Sequence, residues 1–185
     1  MTELKKEIIR KSIHFTGLSY IPAYMYFGRN TVALAIVGAL CFSIFLEYFR
    51  IRYGILSVIA REYERKSLGA YIYFGIASLL ITLFFPKDAC FTAIVASVAG
   101  DGVGGIVRRV NFKYSNVISF IVMIFIPFSL IFLFSLASPI PSFIACVIGA
   151  CVERVDKIGR VYIQDNFSVP LATAFAYYSV NYLSP

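Results

Sequence analysis

Asp101 lies in an apolar, glycine-rich run, Cys90-Phe-Thr-Ala-Ile-Val-Ala-Ser-Val-Ala-Gly-Asp-Gly-Val-Gly-Gly-Ile-Val107. An aspartate at the centre of a membrane helix costs about 2.5–3.5 kcal/mol on insertion scales. A cation, a metal ion or a water-filled cavity must offset that cost. Three other carboxylates border apolar runs: Glu47 ends one, Glu153 ends another, and Asp165 precedes the last. Arg108, Arg109 and Lys113 follow Asp101 within one to three helical turns. Carboxylates hold Mg²⁺ and cations neutralise phosphate oxygens, which are the needs of phosphoryl transfer. Gly100, Gly102, Gly104 and Gly105 add backbone that can approach a phosphate closely.

The same residues admit other roles. Gly100-Asp-Gly-Val-Gly-Gly105 matches G-x-G-x-x-G, but a dinucleotide site needs a preceding strand, a βαβ unit and an acidic residue about 20 positions on. None is present, and that reading is excluded. Gly100-x-x-x-Gly104, with Ala96 one turn earlier, is also a small-residue packing stripe. Glu47 with Arg50 and Glu153 with Lys157 have the spacing of helical ion pairs. Intramembrane carboxylates also serve ion and proton pathways. Near the N-terminus, Glu7, Arg10, Lys11 and His14 share one helical face. That face is either an interfacial helix start with a Glu7–Lys11 pair, or a polar stripe carrying His14 and two cations into a site.

The elements that position these groups are membrane helices. Of 185 residues, 59% are hydrophobic and 15% charged, with mean hydropathy +0.80. Soluble domains carry about 25% charged residues. Seven apolar segments can be read, at about 13–27, 31–47, 69–85, 89–107, 117–137, 139–152 and 168–183. A span needs roughly 20 residues, so the first and sixth are short and six spans are an alternative count. With a cytoplasmic N-terminus, all but Arg29 and Lys87 of the 17 basic residues fall on the cytoplasmic side, as the positive-inside rule requires. The net charge of +7 is then mostly topology. Nucleic-acid binding is a poor reading of it, because the basic residues border apolar spans. Residues 50–67 alternate an apolar stripe with charges, which predicts an amphipathic helix in the cytoplasmic interface. Pro127 predicts a kink. Asp165-Asn166-Phe-Ser168-Val-Pro170 predicts a helix start. Cys41, Cys90, Cys146 and Cys151 form no C-x-x-C pair, so buried free thiols are expected. The whole, residues 1–185, reads as one all-α polytopic bundle.

Four short motifs fall in the order of a known family. Arg10-Lys11-x-x-His14 resembles its N-terminal R-K-x-x-H signature, and Glu47-Tyr-Phe-Arg50 its E-x-x-R. Gly100-Asp-Gly-Val-Gly-Gly-Ile-Val-Arg108 resembles the G-D nucleotide segment, and Glu153 with Asp165-Asn166-Phe-Ser-Val-Pro170 the E…D-N-x-x-V-P ending. The chain thus resembles the polyprenol kinases, which include dolichol kinases, phytol kinases and CTP-dependent diacylglycerol kinases. The family's G-R-x-x-G-K turn after the G-D segment has no counterpart; only Lys113 and Ser115 stand in for it.

The resemblance implies transfer of the γ-phosphoryl group of CTP, with Mg²⁺, to a membrane lipid alcohol on the cytoplasmic side. Asp101 and Asp165 would hold metal, with Glu153 or Asp165 taking the alcohol's proton. Arg108, Arg109 and Lys113 would neutralise phosphate, and His14 and Lys11 would orient it or assist proton transfer. Glu47, Arg50 and Asn166 would be supporting polar residues. A cytidylyltransferase making a CDP-lipid and a non-catalytic lipid or ion transporter are the competing classes. The small-residue stripe would permit oligomers.

Overall fold

A computed structural model describes residues 3–54, 68–109, 113–155, 157–158 and 161–183. The chain runs through α1 (Glu3–Phe15), a 3₁₀ turn (Thr16–Ser19), α2 (Tyr20–Tyr53), α3 (Ala70–Phe84) and α4 (Lys87–Val95). A π-helical turn (Ala96–Gly100) leads into α5 (Asp101–Arg109), followed by α6 (Ser115–Leu133), α7 (Pro139–Glu153) and α8 (Asp165–Tyr178). The strands, β1 (Lys157–Ile158) and β2 (Val161–Tyr162), form a two-residue antiparallel hairpin. Among the described residues, three helical runs are long and apolar enough to cross a membrane: Ile8–Tyr53, Lys87–Arg108 and Ser115–Leu133. α3 and α7 are apolar but shorter.

Gly28 organises the first of these runs. Its φ of 77° and ψ of 173° interrupt α2, in a backbone region essentially reserved for glycine. The chain reverses there. Before Gly28, the Gly17 backbone lies against Phe74; after it, Leu40 lies against Gly75. Both contacts fall on the same turn of α3, although each is about three helical turns from Gly28. The predicted break between the first two apolar segments is therefore a helical hairpin whose two arms flank α3. Beyond Gly28 the Arg29 guanidinium donates to the Phe85 carbonyl at the far end of α3.

α4 and the π-turn form the axis of the bundle. Every residue from Ala89 to Gly100 is buried, as expected for a helix apolar on all faces. Its small residues let α6, α7 and α8 approach. Its hydroxyls are satisfied locally: Thr92 donates to the Asp88 carbonyl at 2.9 Å and Ser97 to the Ala93 carbonyl at 2.7 Å. Across to α3, Thr82 donates to the Ser78 carbonyl. Thr82 Oγ1 is then the acceptor in its 2.8 Å contact with the Tyr20 hydroxyl. On the other side, the Ser138 backbone N–H donates to the Tyr177 hydroxyl, fixing α8 to the turn before α7.

Two expectations change. The helix expected over 50–67 does not run through: α2 ends at Gly54, left-handed at φ 70°, whose N–H returns to the Arg50 carbonyl. Residues 55–67 lie outside the described chain. Only Cys90 and Cys146 of the four free cysteines are buried; Cys41 and Cys151 are exposed. Pro127 does sit inside α6, buried beside Gly100.

Replacing Gly28 tests the hairpin. Gly28→Val should cost about 1–3 kcal/mol of stability from positive-φ strain. Gly38→Ala, in open space within the second arm, should be neutral or mildly stabilising. Thermal unfolding of the two purified variants in one detergent checks the contrast.

Candidate active site

Asp101 is the first residue of α5, directly after the π-turn. Such turns widen a helix by one residue and re-aim the side chains of the next turn. Lys11 of α1 reaches it from across the bundle, its Nζ donating to Oδ2 at 2.5 Å. Lys11 is itself 7% exposed. A Cβ on Gly105 would stand 2.8 Å from Lys11 Cε, so only glycine leaves this path open without displacing the lysine. His14, one turn further along α1, places Nε2 3.1 Å from the Ser97 carbonyl. A carbonyl only accepts, so Nε2 carries the proton and Nδ1 is the second nitrogen available for chemistry. Nε2 also lies 3.8 Å from Asp101 Oδ2. The N-terminal polar stripe therefore enters the site. The side chain of Glu7, its other expected partner, lies outside the described part.

Two more carboxylates converge from elsewhere in the chain. Asp101, Glu153 at the end of α7 and Asp165 at the start of α8 each offer an oxygen within 4.8 Å of the others. With Ser97, Asn166 and Val169 they line a cavity of about 10 Å³, room for about one water-sized occupant. Asn166 donates from its backbone N and its Nδ2 to Asp165 Oδ1, at 2.7 and 2.8 Å, which sets the carboxylate's orientation.

Glu153 is 4% exposed. Its Oε1 accepts from Arg108. Its Oε2 is buried with no hydrogen bond among the described residues, and Arg154 Nε lies 3.5 Å from it. A buried carboxylate oxygen left in that state is costly. The cluster brings together hard oxygen donors of the kind that could hold a divalent cation.

The remaining expected residues divide between packing and distant polar contacts. Gly100 and Gly104 face α6: a Cβ on the first would meet the Met123 carbonyl at 3.0 Å, and on the second it would collide with the Met123 side chain. Gly102 faces the Phe15 ring. These three glycines serve helix packing. Glu153 does not pair with Lys157, which lies exposed on β1; the helix ends before the i+4 position, and Arg108 takes the carboxylate instead. Glu47 and Arg50 do pair, at 2.7 Å, with the Tyr71 hydroxyl on Glu47. They join α2 to α3 as a buried polar clamp apart from the carboxylate cluster. Lys113 is exposed beside the Tyr114 ring, and the side chain of Arg109 lies outside the described part. Ser97 and Val169 were not anticipated; nothing in their types marks them, and only the π-turn and the first turns of α8 bring them to the cavity.

Comparison with protein-family models, curated proteins and solved structures gives no significant match.

The buried pair predicts its own double-mutant behaviour. Lys11→Met strands the Asp101 charge and should destabilise the protein by about 3–5 kcal/mol. Lys11→Met combined with Asp101→Asn should recover a substantial part of that loss. Thermal melts of the three variants in detergent measure the coupling.

Proposed function

We propose that this membrane protein is a phosphotransferase that moves the γ-phosphoryl group of CTP to a polyprenol- or dolichol-type lipid alcohol. The convergence of Asp101, Glu153 and Asp165, from three helices, carries the reading. The cations Lys11 and Arg108 on those carboxylates, and the motif resemblance that supplies CTP and the lipid alcohol, support it. In this reading the bundle crosses the membrane about seven times, and the site opens to the cytoplasmic side, where most of the basic residues and the nucleotide would be.

The alcohol oxygen forms a bond to the γ-phosphorus, and the bond from that phosphorus to the β–γ bridging oxygen breaks. Lipid alcohol and CTP become lipid phosphate, CDP and one proton. Asp101 and Asp165 would hold Mg²⁺, which supplies charge neutralisation on the phosphate oxygens when bound. Glu153 Oε2, the carboxylate oxygen without a hydrogen bond, accepts the proton of the lipid hydroxyl. Arg108 and Lys11 balance the added negative charge. His14, fixed by the Ser97 carbonyl, orients the acceptor or donor oxygen through its second nitrogen. The apolar bundle gives a membrane-dissolved alcohol lateral access.

Purified protein with [γ-³²P]CTP and a panel of lipid alcohols should yield labelled lipid phosphate and CDP. Asp101→Asn should lower the rate at least about 100-fold. Pyrophosphate release instead of CDP would mark a cytidylyltransferase. Absence of transfer, or transfer surviving Asp101→Asn intact, would overturn the proposal.

A further inference from the structure

A second, larger cavity than the one among the carboxylates lies away from them. Between the two arms of the α2 hairpin and α3 is a cavity of about 340 Å³, within the range of roughly 300–1,000 Å³ typical of small-ligand sites. Small residues open it: Gly17 and Ala23 on one arm, Ala35 and Ala39 on the other, and Gly75 on α3. Among the described residues no charged one lines it, so an ionised headgroup finds no counter-charge from them there. One wall residue, Ser78, is 4% exposed, and its hydroxyl has no hydrogen-bond partner among the described residues.

The cavity and the carboxylate site share a thin wall. Phe74 lines the cavity and packs edge-on against the His14 ring, centroids 5.2 Å apart. His14 Nε2 is in turn 3.8 Å from Asp101. Gly17, also in the wall, holds its backbone against Phe74 and Val98. An apolar space of this size, bounded by a lipid-facing hairpin and ending one ring away from a polar site, suits an amphiphile that keeps its chain on one side and its neutral head on the other.

We propose that this cavity holds the chain of a neutral, single-chain lipid alcohol, running between the hairpin arms with its hydroxyl end at the Phe74–His14 wall. That the hydroxyl is the phosphoryl acceptor rests on the kinase reading; that the cavity binds the chain does not. Phe74 is then a positioning residue, since its ring must turn or shift for the hydroxyl to reach His14.

The test uses the full chain in phospholipid nanodiscs, without nucleotide, and a C15 isoprenoid alcohol bearing a diazirine at its chain end. After irradiation, peptide mapping should place the label on the arms of α2 and on α3, around Ala35, Ala39 and Gly75. Unlabelled C15 alcohol should compete, and extra phospholipid should not. Ala39→Phe, which fills the space, should cut cavity labelling at least about tenfold. Ala35→Leu serves the same purpose if the first variant does not fold, and the wild-type label map stands without either. Label confined to outward residues such as Phe42 and Phe45, or displaced equally by phospholipid, would overturn the inference. The two readings fail separately. Cavity labelling without CTP-dependent phosphorylation would leave this site standing and remove the kinase. Phosphorylation with an unlabelled cavity, and with the KM for the alcohol unchanged in Ala39→Phe, would do the reverse.

Discussion

The Lys11–Asp101 pair sits where bulk water hydrates neither charge well, and it can form only when α1, the π-turn and α5 are in register together. A carboxylate in that position has few ways to remain ionised. The structure answers with a lysine from the other end of the chain, a glycine that leaves its path open and a histidine one turn away. Phe15, beside that histidine, packs into both large hydrophobic clusters. Docking of α1 thus couples the charge balance of the site to the apolar core.

The second dependency is steric. The axis helix touches most of the other elements, and it does so because its side chains are small. Two of its successor glycines lie against the α6 backbone and Met123, and a third lies beneath Phe15. Helix association in lipid draws on close packing rather than on a hydrophobic gain, so these positions carry a large share of the specificity of the bundle. The same close approach brings α7 and α8 near enough for Glu153 and Asp165 to meet Asp101.

Much of the helical layout was legible from hydropathy alone, because a membrane helix must be apolar over its whole length. The segments read at 69–85 and 139–152 fall almost on α3 and α7. The site was legible where cost singled residues out: Asp101 in an apolar run has no inexpensive role, and a polar stripe on α1 needed somewhere to go. What escaped was long-range or conformational. Glu153 had a local candidate in Lys157, but the helix ended first and Arg108 took its place. The glycine spacing fits a phosphate loop and a packing seam equally well, and only neighbouring side chains separate the two. A reversal at Gly28 depends on a positive φ, which composition does not encode. Gly54 likewise stops α2 inside a pattern whose amphipathic period continues past it.

The three carboxylates sit far apart along the chain, and their order has a consequence for biosynthesis. Chains emerge N-terminus first, so Lys11 is already made when Asp101 follows, and the costly aspartate can find its cation early. Glu153 and Asp165 come much later, with α7 and α8. The nascent protein therefore holds a paired Asp101 in an incomplete carboxylate cluster until α8 docks. A chain cut short before α8 would contain both partners of the Lys11–Asp101 pair yet lack the third carboxylate of the cluster.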